Sequence, residues 1–452
     1  MGKFGAGADA GDVRVLIENG EYWLRNRGDI AMMAVTVRRL RAQWPSARIG
    51  MLTEQPRVLR ALLPDAEPID VAAGGRWEQD PRGQWEHAPR GRWEHAPRPH
   101  RLGDEAALRW RAATDGPKSR VRAFRKALRG NAEPSDPPAP PLPEAVSRAD
   151  LVLAQGGGYL TDVDRYQAGR ALDLLEHAQS LGIPTAMIGQ GLGPLDDPRL
   201  LERAARVLPG VGLIALREGR CGPKLLADLG VAPERIVVTG DDAVELAYGL
   251  RRAEIGGDLG VCLRITYYAR VGAAAQDILG EVIRSRAAEF DAALRPLIIS
   301  EYEAEDRDCT RRLLAGAVRT RRPVGRAGTA EDVARQVSRC RVVVTSAYHL
   351  AVFALSQGIP AVGITASRYY DDKFHGLAAM FGNGLRVVDV RDPHLGPTLS
   401  TAVRELWESA PELRDPLQHR AVEQIDASRA GMRRAFGLVD GERKPIPARE
   451  ER

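Results

Sequence analysis

The chain has 452 residues, of which 44% are apolar, and a formal net charge of +5. Its length exceeds one ordinary domain, so we expect two domains with additional segments. The sequence contains no run of the ~20 apolar residues that a membrane helix needs, and its start lacks the apolar stretch of a signal peptide. It therefore predicts a cytoplasmic protein without a transmembrane segment.

The basic excess is concentrated in one segment of the chain. Residues 72–147 contain 14 Arg and Lys against 10 Asp and Glu, which is +4 of the total +5. A nucleic-acid-binding face would carry its positive charge on the folded part of the chain. We therefore do not expect nucleic acid as a partner.

The cysteines lie far apart in the sequence, without a CxxC pair or a His at metal-ligand spacing. This pattern predicts free thiols in a reducing compartment and no metal site. The residues concerned are Cys221, Cys262, Cys309 and Cys340.

The first predicted strand, Asp12–Ile17, leads into a loop and then into a helix over Ile30–Trp44. Asn26, Gly28 and Asp29 lie where that helix begins. Gly permits close approach to the backbone, and Asp can accept from the free N–H groups of the first turn. A ligand could therefore lie across this helix N-terminus.

A low-complexity insert, residues 72–147, interrupts the alternation of strands and helices. It begins with three eight-residue repeats, GRWEQDPR, GQWEHAPR and GRWEHAPR, and ends with the Pro-rich stretch Pro134–Pro143. A Pro in each repeat excludes a regular helix or a strand interior, and the Pro-rich stretch is typical of an extended linker. We predict a disordered surface loop. The alternative is that its Trp residues dock on a partner or on a charged polymer.

Strands and helices alternate through the rest of the chain, which indicates parallel, doubly wound sheets. The predicted strands of the first half are Arg48–Leu52, Asp150–Ala154, Thr185–Ile188, Leu213–Leu216 and Ile236–Val238, and its helices are Ala168–Leu181, Pro198–Leu208 and Pro223–Leu229. The predicted strands of the second half are Leu259–Ile265, Pro296–Ser300, Val342–Val344, Ala361–Ile364 and Arg386–Val390.

The sequence thus predicts an α/β protein with two Rossmann-like, doubly wound domains that face a cleft. We place the domains at residues 1–250 and 251–440, with a hinge at Ala243–Gly257 and a disordered tail at 441–452. A closing helical stretch, Pro397–Phe436, is expected to pack back across both halves.

Candidate ligand-binding residues follow several strands of the first half. The run Gly156, Gly157 and Gly158 removes side chains from the edge of the cleft, so phosphate, carboxylate or sugar oxygens could reach backbone N–H groups. It is neither a P-loop nor a GxGxxG motif. Gln190 follows the next strand, and Arg217 ends another, where an Arg suits bidentate recognition of phosphate or carboxylate.

Asp241 and Asp242 follow the last strand of the first half. They could accept hydrogen bonds from sugar hydroxyls or cap the helix that follows, and the sequence leaves both roles open.

A strand–turn–helix–strand unit in the second half places His349 directly after a small polar turn that contains Ser346. Open α/β sheets bind ligands at this edge, and a His titrates near neutral pH. Arg264, Lys373 and the ring of Tyr370 add further cationic and aromatic groups, so we expect the cleft to bind a small polyanion. The alternative for His349 is a packing or helix-capping role.

Seven motifs, in this order, resemble those of the polysaccharide pyruvyltransferases, and they span nearly all of the chain except the insert and the termini. They are NRGD (26–29), QGGGYLTD (155–162), GQGLGP (189–194), LRE (216–218), TGDDAVEL (239–246), SAYHLAVFALSQGIPAVGI (346–364) and YYDDKFHGL (369–377).

The resemblance implies a GT-B-like fold and the transfer of a pyruvyl group from phosphoenolpyruvate, the co-substrate, onto sugar hydroxyls of a glycan or glycoconjugate as a ketal. It implies that His349 is the general acid and that Arg217 holds phosphoenolpyruvate, without a metal or redox cofactor. A lipid-linked acceptor would bring the protein into peripheral contact with a membrane.

The chain departs from the family at one position. The family motif commonly reads Arg-Leu-His, whereas this chain has Ala347-Tyr348-His349. Either another cation, such as Arg217, Arg264 or Lys373, supplies the missing charge, or the donor differs.

Two alternatives to a pyruvyltransferase follow from the same fold. One is a GT-B glycosyltransferase that uses a nucleotide-sugar donor, although the second half shows no clear Glu or aromatic signature for a base and a ribose. The other is a non-catalytic binding protein that keeps the fold, for which His349 would be dispensable.

Overall fold

The computed structural model describes residues 13–77, 141–302 and 305–440. Within these ranges the chain forms two parallel β-sheets flanked by helices, which confirms the predicted α/β fold with two Rossmann-like halves. A search of the same residues finds no helix with the length and apolar character that crossing a membrane would require.

The sheet of the first half has the strand order β3-β2-β1-β4-β6-β7-β8, with β5 paired to β6. Its strands are short apolar runs such as Leu151–Ala154, buried at every position, because helices cover both faces of the sheet. The strands are β1 (Arg14–Glu18), β2 (Arg48–Thr53), β3 (Glu67–Asp70), β4 (Leu151–Ala154), β5 (Gly157–Leu160), β6 (Thr185–Leu192), β7 (Leu213–Leu216) and β8 (Ile236–Val238).

The sheet of the second half has the order β10-β9-β11-β12-β13. Its strands are β9 (Asp258–Cys262), β10 (Leu294–Pro296), β11 (Cys340–Thr345), β12 (Ala361–Thr365) and β13 (Leu385–Asp389).

The helices around the two sheets follow in chain order. They are α1 (Arg27–Gln43), α2 (Pro56–Leu62), α3 (Arg165–Ser180), α4 (Pro198–Val207), α5 (Gly222–Asp228), α6 (Ala243–Gly249), α7 (Ala273–Glu289), α8 (Glu305–Leu313), α9 (Ala330–Val337), α10 (Tyr348–Ser356), α11 (Arg368–Phe381) and α12 (Leu395–Asp440).

The long closing helix α12 packs on both halves, as the sequence predicts. Leu399 and Val403 near its start lie in the core of the second sheet. Met432 and Phe436 near its end lie in the core of the first sheet. Packing therefore assigns the end of α12 to the first half of the molecule, across the predicted boundary at residue 250.

The predicted hinge is wrong for its first seven residues. Ala243–Gly249 form α6, and Ala243, Val244 and Ala247 are buried. Their side chains lie in one core with residues of α1 from the first half and of α10 from the second. The spacing of these apolar residues gives α6 one buried face, so this segment is part of the contact between the two halves.

The ends of the predicted insert belong to the folded structure. Trp77, in the first repeat, is buried, its ring lies directly over Gly50 of β2, and its Nε1 donates to the carbonyl oxygen of Ala145 at 2.9 Å. The N–H of Ala145 in turn donates to the oxygen of Gly75 at 2.8 Å. The other repeats and most of the Pro-rich stretch lie outside the described residues, so the prediction of disorder there stays a prediction.

The cysteines are free thiols, as predicted. Cys262 and Cys340 are buried, and Cys221 and Cys309 are partly buried.

One buried side chain of the first half ends inside the second half. Arg27, at the start of α1, is 4% exposed and pairs with Glu301 at 3.2 Å. Its guanidinium also donates to four carbonyl oxygens of the second half. They belong to Ile298 at 3.2 Å, Gly325 at 3.0 Å, Arg326 at 3.0 Å and Gly328 at 2.7 Å.

The backbone beside Arg27 joins the two halves as well. The N–H of Arg27 donates to the oxygen of Ile299 at 2.9 Å, and the N–H of Glu301 donates to the oxygen of Arg25 at 3.1 Å. The sequence predicts a strand over Pro296–Ser300, but β10 ends at Pro296. Beyond it the N–H groups of Ile299 and Ser300 donate to Asp306 of the second half, while the oxygen of Ile299 accepts from the N–H of Arg27 in the first half.

Replacing Arg27 by Ala should lower the free energy of unfolding by about 3 kcal/mol, because Glu301 loses one partner and four buried carbonyl oxygens lose their donor. Urea unfolding measures the change. The matched control is Arg38→Ala, whose ion pair with Glu245 leaves the Arg side chain 56% exposed and should be worth less than about 1 kcal/mol. Equal losses in the two variants would contradict the role given to Arg27.

Candidate active site

Residues that follow strands of both sheets meet in the cleft between the two halves. Arg217 follows β7 and Asp241 follows β8, both from the first half, while His349 lies in the first turn of α10, directly after β11. These positions are the carboxyl ends of parallel strands, where open α/β sheets bind ligands.

The turn after β11 fixes the position of His349. The hydroxyl oxygen of Thr345 accepts from the N–H of Ala347 at 2.9 Å, which ends the strand, and α10 begins at Tyr348. The side chain of His349 is 8% exposed and points toward the first half. The sequence-based placement of His349 at the start of a helix is confirmed.

Asp241 lies between the two cationic groups. Its Oδ2 is 3.6 Å from Nε2 of His349 and 3.7 Å from Nη1 of Arg217. Its Oδ1 accepts from the N–H of Ala243 at 2.9 Å, so the start of α6 holds the carboxylate in place. Asp241 therefore both contacts the first turn of a helix and faces His349 and Arg217. Asp242 instead pairs with Arg39 at 2.9 Å, away from the cleft.

Three buried polar atoms of this cluster have no hydrogen-bond partner among the described residues. They are Nε2 of His349, Oδ2 of Asp241 and Nη2 of Arg217. Buried polar groups of folded proteins are almost always hydrogen-bonded. Such atoms, close together at a strand edge, are suited to bind the oxygen atoms and protons of a ligand.

Two carboxylates set the electrostatics of the cluster. Burial raises the pKa of Asp29, while the positive charges of His349, Lys373 and Arg217 act in the opposite direction. Burial alone would also raise the pKa of Asp241, but its interaction with His349 and the charge of Arg217 outweigh burial and lower it. Asp241 is thus the carboxylate that stays ionised beside His349.

The cations respond to the same environment. Burial acts to lower the pKa of the Arg217 guanidinium, but the neighbouring Tyr348 and Asp241 outweigh burial and raise that pKa. Burial lowers the pKa of Lys373 well below its usual range, and the charges of Arg217 and Arg264 lower it further. A bound anion would favour the protonated form of Lys373.

Lys373 and its neighbour Tyr369 reach from α11 to the first half. Nζ of Lys373 donates to the Tyr369 hydroxyl and lies 3.8 Å from the centre of that ring. The same hydroxyl donates to the carbonyl oxygen of Gly158 at 2.9 Å. The guanidinium of Arg217 lies over the ring of Tyr348, 4.3 Å from its centre. Each cation of the cluster therefore lies against an aromatic ring.

Three glycines of the first half lie against the charged groups of the cluster: Gly28 against His349, Gly191 against Arg217 and Gly158 against Lys373. A Cβ atom on Gly28 would lie 2.2 Å from Cγ and Nδ1 of the His349 ring, which is far inside van der Waals contact. Only glycine lets these side chains approach the backbone so closely. The glycines thus serve mainly to admit protein side chains, and Gly158 alone belongs to the predicted run.

Several other predicted site residues have structural contacts. The amide of Gln190 donates to the oxygens of Ala154 and Gln155 at 3.0 and 2.9 Å, which ties β6 to the end of β4. Gly156 packs against the carbonyl of Gly189. Gly157 begins the short strand β5, because its backbone pairs with β6.

The remaining predicted residues border the cluster. Nε of Arg264 donates to Asp306 at 2.7 Å, so a carboxylate already balances this charge. The hydroxyl oxygen of Ser346 accepts from the N–H of Arg264 at 2.7 Å. The side chain of Asn26 accepts from the N–H of Gly28 at 3.1 Å and caps α1. Tyr370 lies 5.4 Å from Tyr369, measured between ring centres.

Sequence reasoning named Tyr369 as a ring that flanks the cleft and left the role of Asp241 open, although Asp241 follows a strand of the first half just as Arg217 does. It did not choose Tyr348, because an aromatic residue on a helix is ordinarily a core residue. Among the residues that the structure describes, no group of three or more His, Cys, Asp or Glu side chains could hold a metal ion.

The chain matches the family model described as Polysaccharide pyruvyl transferase over residues 26–368. No curated protein matches the chain.

Solved structures with a similar fold include UDP-GlcNAc 2-epimerase from Neisseria meningitidis bound to UDP-GlcNAc, with a TM-score of 0.52 and 12% identity over 94% of this chain and 100% of that one. UDP-GlcNAc 2-epimerase from Methanocaldococcus jannaschii has a TM-score of 0.52 and 12% identity over 94% and 99% of the two chains. A glycosyltransferase from Rickettsia africae ESF-5 has a TM-score of 0.51 and 8% identity over 95% and 99%. At such identities the likeness concerns the fold alone, and it confirms the GT-B-like architecture.

Sulfate, whose charge is constant over the working pH range, should bind to this cluster. Arg217→Ala should weaken its binding roughly tenfold or more, because a charged hydrogen bond is worth about 1.5–3 kcal/mol. Affinity should rise as the pH falls through the lowered pKa of Lys373, since that group then gains its positive charge. Isothermal titration calorimetry measures both effects.

Arg220→Ala is the matched control, because Arg220 lies three positions further along the chain and is exposed. Equal affinities of the Arg217 and Arg220 variants for sulfate would contradict the assignment of the anion site.

Proposed function

The chain belongs to the polysaccharide pyruvyl transferase family and is thus a transferase, and from this premise we propose that it moves the pyruvyl group of phosphoenolpyruvate onto hydroxyls of a glycan or glycoconjugate. In this proposal phosphoenolpyruvate is a co-substrate, and the reaction needs no metal or redox cofactor. The acceptor is a saccharide, free or lipid-linked, and the reaction takes place in the cytoplasm.

The observation that carries the proposal is the cluster of buried, unpartnered polar atoms on Arg217, Asp241 and His349. It combines a fixed guanidinium for an anion, a titratable imidazole and a carboxylate that stays ionised beside it. Phosphoenolpyruvate carries a phosphate and a carboxylate on a three-carbon enol, so it offers anionic groups to Arg217 and Lys373 and a basic methylene carbon to an acid.

The reaction begins with proton transfer from His349 to the methylene carbon, which becomes a methyl group and leaves a cationic centre at the neighbouring carbon. A sugar hydroxyl attacks that centre and gives its proton to the imidazole of His349, which the first step left deprotonated. The bond between this carbon and the phosphate oxygen then breaks, inorganic phosphate leaves with its electron pair, and a second hydroxyl of the same sugar closes the ketal. Two carbon–oxygen bonds form, one breaks, and the second hydroxyl proton goes to phosphate or solvent.

Asp241 supports the acid step through its position. Its Oδ2 lies 3.6 Å from Nε2 of His349 and 3.7 Å from Nη1 of Arg217. In the proposal this carboxylate holds the imidazole in place for proton transfer.

The missing Arg at position 347 is compatible with this reading. Ala347 is buried at the start of α10, and the adjacent Tyr348 places its ring against Arg217. Lys373 lies on the other side, with Nζ 5.9 Å from the centre of the Tyr348 ring. Arg217 and Lys373 are thus the two cations that would hold the donor.

Release of phosphate from phosphoenolpyruvate tests the proposal. With a panel of soluble and lipid-linked glycans, release should require an acceptor, and His349→Ala should reduce it at least ~100-fold, the usual size of a general acid contribution. His375→Ala is the control, because His375 is exposed on α11 and should leave the rate unchanged. Acceptor-independent release, or full activity of His349→Ala, would disprove the mechanism.

Asp241→Asn should lower kcat roughly tenfold to a hundredfold, because the neutral amide no longer provides a carboxylate beside Nε2 of His349 during proton transfer. The affinity for phosphoenolpyruvate should stay equal or increase, since a negative charge near an anion is removed. Steady-state kinetics with varied phosphoenolpyruvate separate these effects. Asp228→Asn, on the exposed end of α5, is the control.

A weaker affinity for phosphoenolpyruvate with an unchanged kcat in Asp241→Asn would show that Asp241 organises donor binding rather than the acid step.

A further inference from the structure

A row of tyrosines leads from the surface of the cleft to the anion site. Tyr267 and Tyr268 lie 4.9 Å apart between ring centres, and Tyr268 lies 5.7 Å from Tyr369 and 6.1 Å from Tyr370. Tyr369 in turn contacts Lys373. The ring contacts therefore run from exposed Tyr267 through partly buried Tyr268 to Tyr369 and Tyr370, which are 9% and 6% exposed, beside a residue of the proposed donor site.

The outer end of this row, Tyr267, is exposed to solvent. Thr266 and Ala269 exchange backbone hydrogen bonds of 3.4 and 3.3 Å, so the residues between them form a tight turn at the mouth of the cleft. Tyr267 is 64% exposed, an unusual exposure for so large a ring. Its hydroxyl donates to the carbonyl oxygen of Val163 in the first half at 3.0 Å, which fixes the ring at the opening between the two halves.

An exposed tyrosine surface has a definite chemical preference. The face of an aromatic ring is negatively polarised, so it attracts the positively polarised C–H groups on one face of a pyranose ring. The phenol hydroxyls at the ring edges can exchange hydrogen bonds with the sugar hydroxyls. The rings of Tyr267 and Tyr268 themselves meet edge to face, at an angle of 89°. A small anion, by contrast, gains nothing from such a surface.

We propose that Tyr267 and Tyr268 form the acceptor subsite, which holds a saccharide ring at the mouth of the cleft with one hydroxyl directed toward the donor beside Lys373. This inference rests on the proposed function, because it names the part of the site that the acceptor occupies. It also explains why the row of rings runs inward. An acceptor that stacks on Tyr267 extends past Tyr268 toward Tyr369, at the edge of the anion site.

The structure offers a second reading of Tyr267, namely that its hydroxyl only joins the two halves through Val163. Two variants separate the readings. Tyr267→Phe removes the hydrogen bond and keeps the ring, whereas Tyr267→Ala removes both. Under the proposal, Tyr267→Ala should raise the KM for the acceptor at least tenfold, and Tyr267→Phe should change it less than threefold. In both variants the affinity for phosphoenolpyruvate and the kcat at saturating acceptor should stay near the wild-type values.

Trp23→Ala is the matched control, because Trp23 is also a partly exposed aromatic residue but packs edge-on against Tyr302 instead of joining the row. It should leave the acceptor KM unchanged. Equal rises of KM in Tyr267→Phe and Tyr267→Ala, or no rise in either, would overturn the proposal.

A direct binding measurement tests the acceptor subsite independently of the proposed reaction. Saturation-transfer NMR with methyl glycosides of galactose, glucose, mannose and N-acetylglucosamine, without any donor, should show binding to the wild type and its loss in Tyr267→Ala. If a glycoside binds in this way but phosphoenolpyruvate gives no phosphate, the proposed reaction fails and the saccharide subsite stands. If phosphate is released but no glycoside contacts the Tyr267 ring, the subsite proposal fails and the reaction stands.

Discussion

The buried contact of Arg27 with the second half is the constraint on which the site depends. Arg217 and Asp241 come from one half and His349 and Lys373 from the other, so the two pairs can meet only if the sheets are held at one separation. Arg27 helps to hold that separation with one ion pair and four hydrogen bonds to carbonyl oxygens. It directly precedes Gly28, which lies against His349, so the contact between the halves and the candidate site share one turn of helix.

The site concentrates positive charge in a place that water hardly reaches, and the structure offsets this in two ways. Asp29 and Asp241 supply negative charge, and the tyrosine rings offer their negatively polarised faces to Arg217 and Lys373. These negative groups do not neutralise the cluster completely, because Lys373 still has a lowered pKa. An anionic ligand would offset the remaining repulsion between the cations. Part of its binding free energy would therefore come from relieving repulsion that exists in the free protein.

The sequence predicted the features that depend on local patterns. The alternation of apolar strands and helices gave both sheets, and the position of Arg217 and His349 after strands gave the edge at which they meet. It failed where distant segments decide the outcome. The partner of Arg27 lies 274 positions away in the sequence. The strand β5 depends on its pairing with β6. Trp77 resembles the other Trp residues of the repeats in sequence, and only the structure shows that it packs on β2. The role of Asp241 was undecided for the same reason, since its distance to His349 follows from the relative placement of the two sheets.

The two ends of the insert are fastened to each other. Gly74 and Gly75 accept from the N–H groups of Glu144 and Ala145 at 3.3 and 2.8 Å. The described residues on the two sides of positions 78–140 therefore lie side by side. The separation that the intervening chain has to bridge is thus short and fixed by the fold, whatever number of residues the sequence places there.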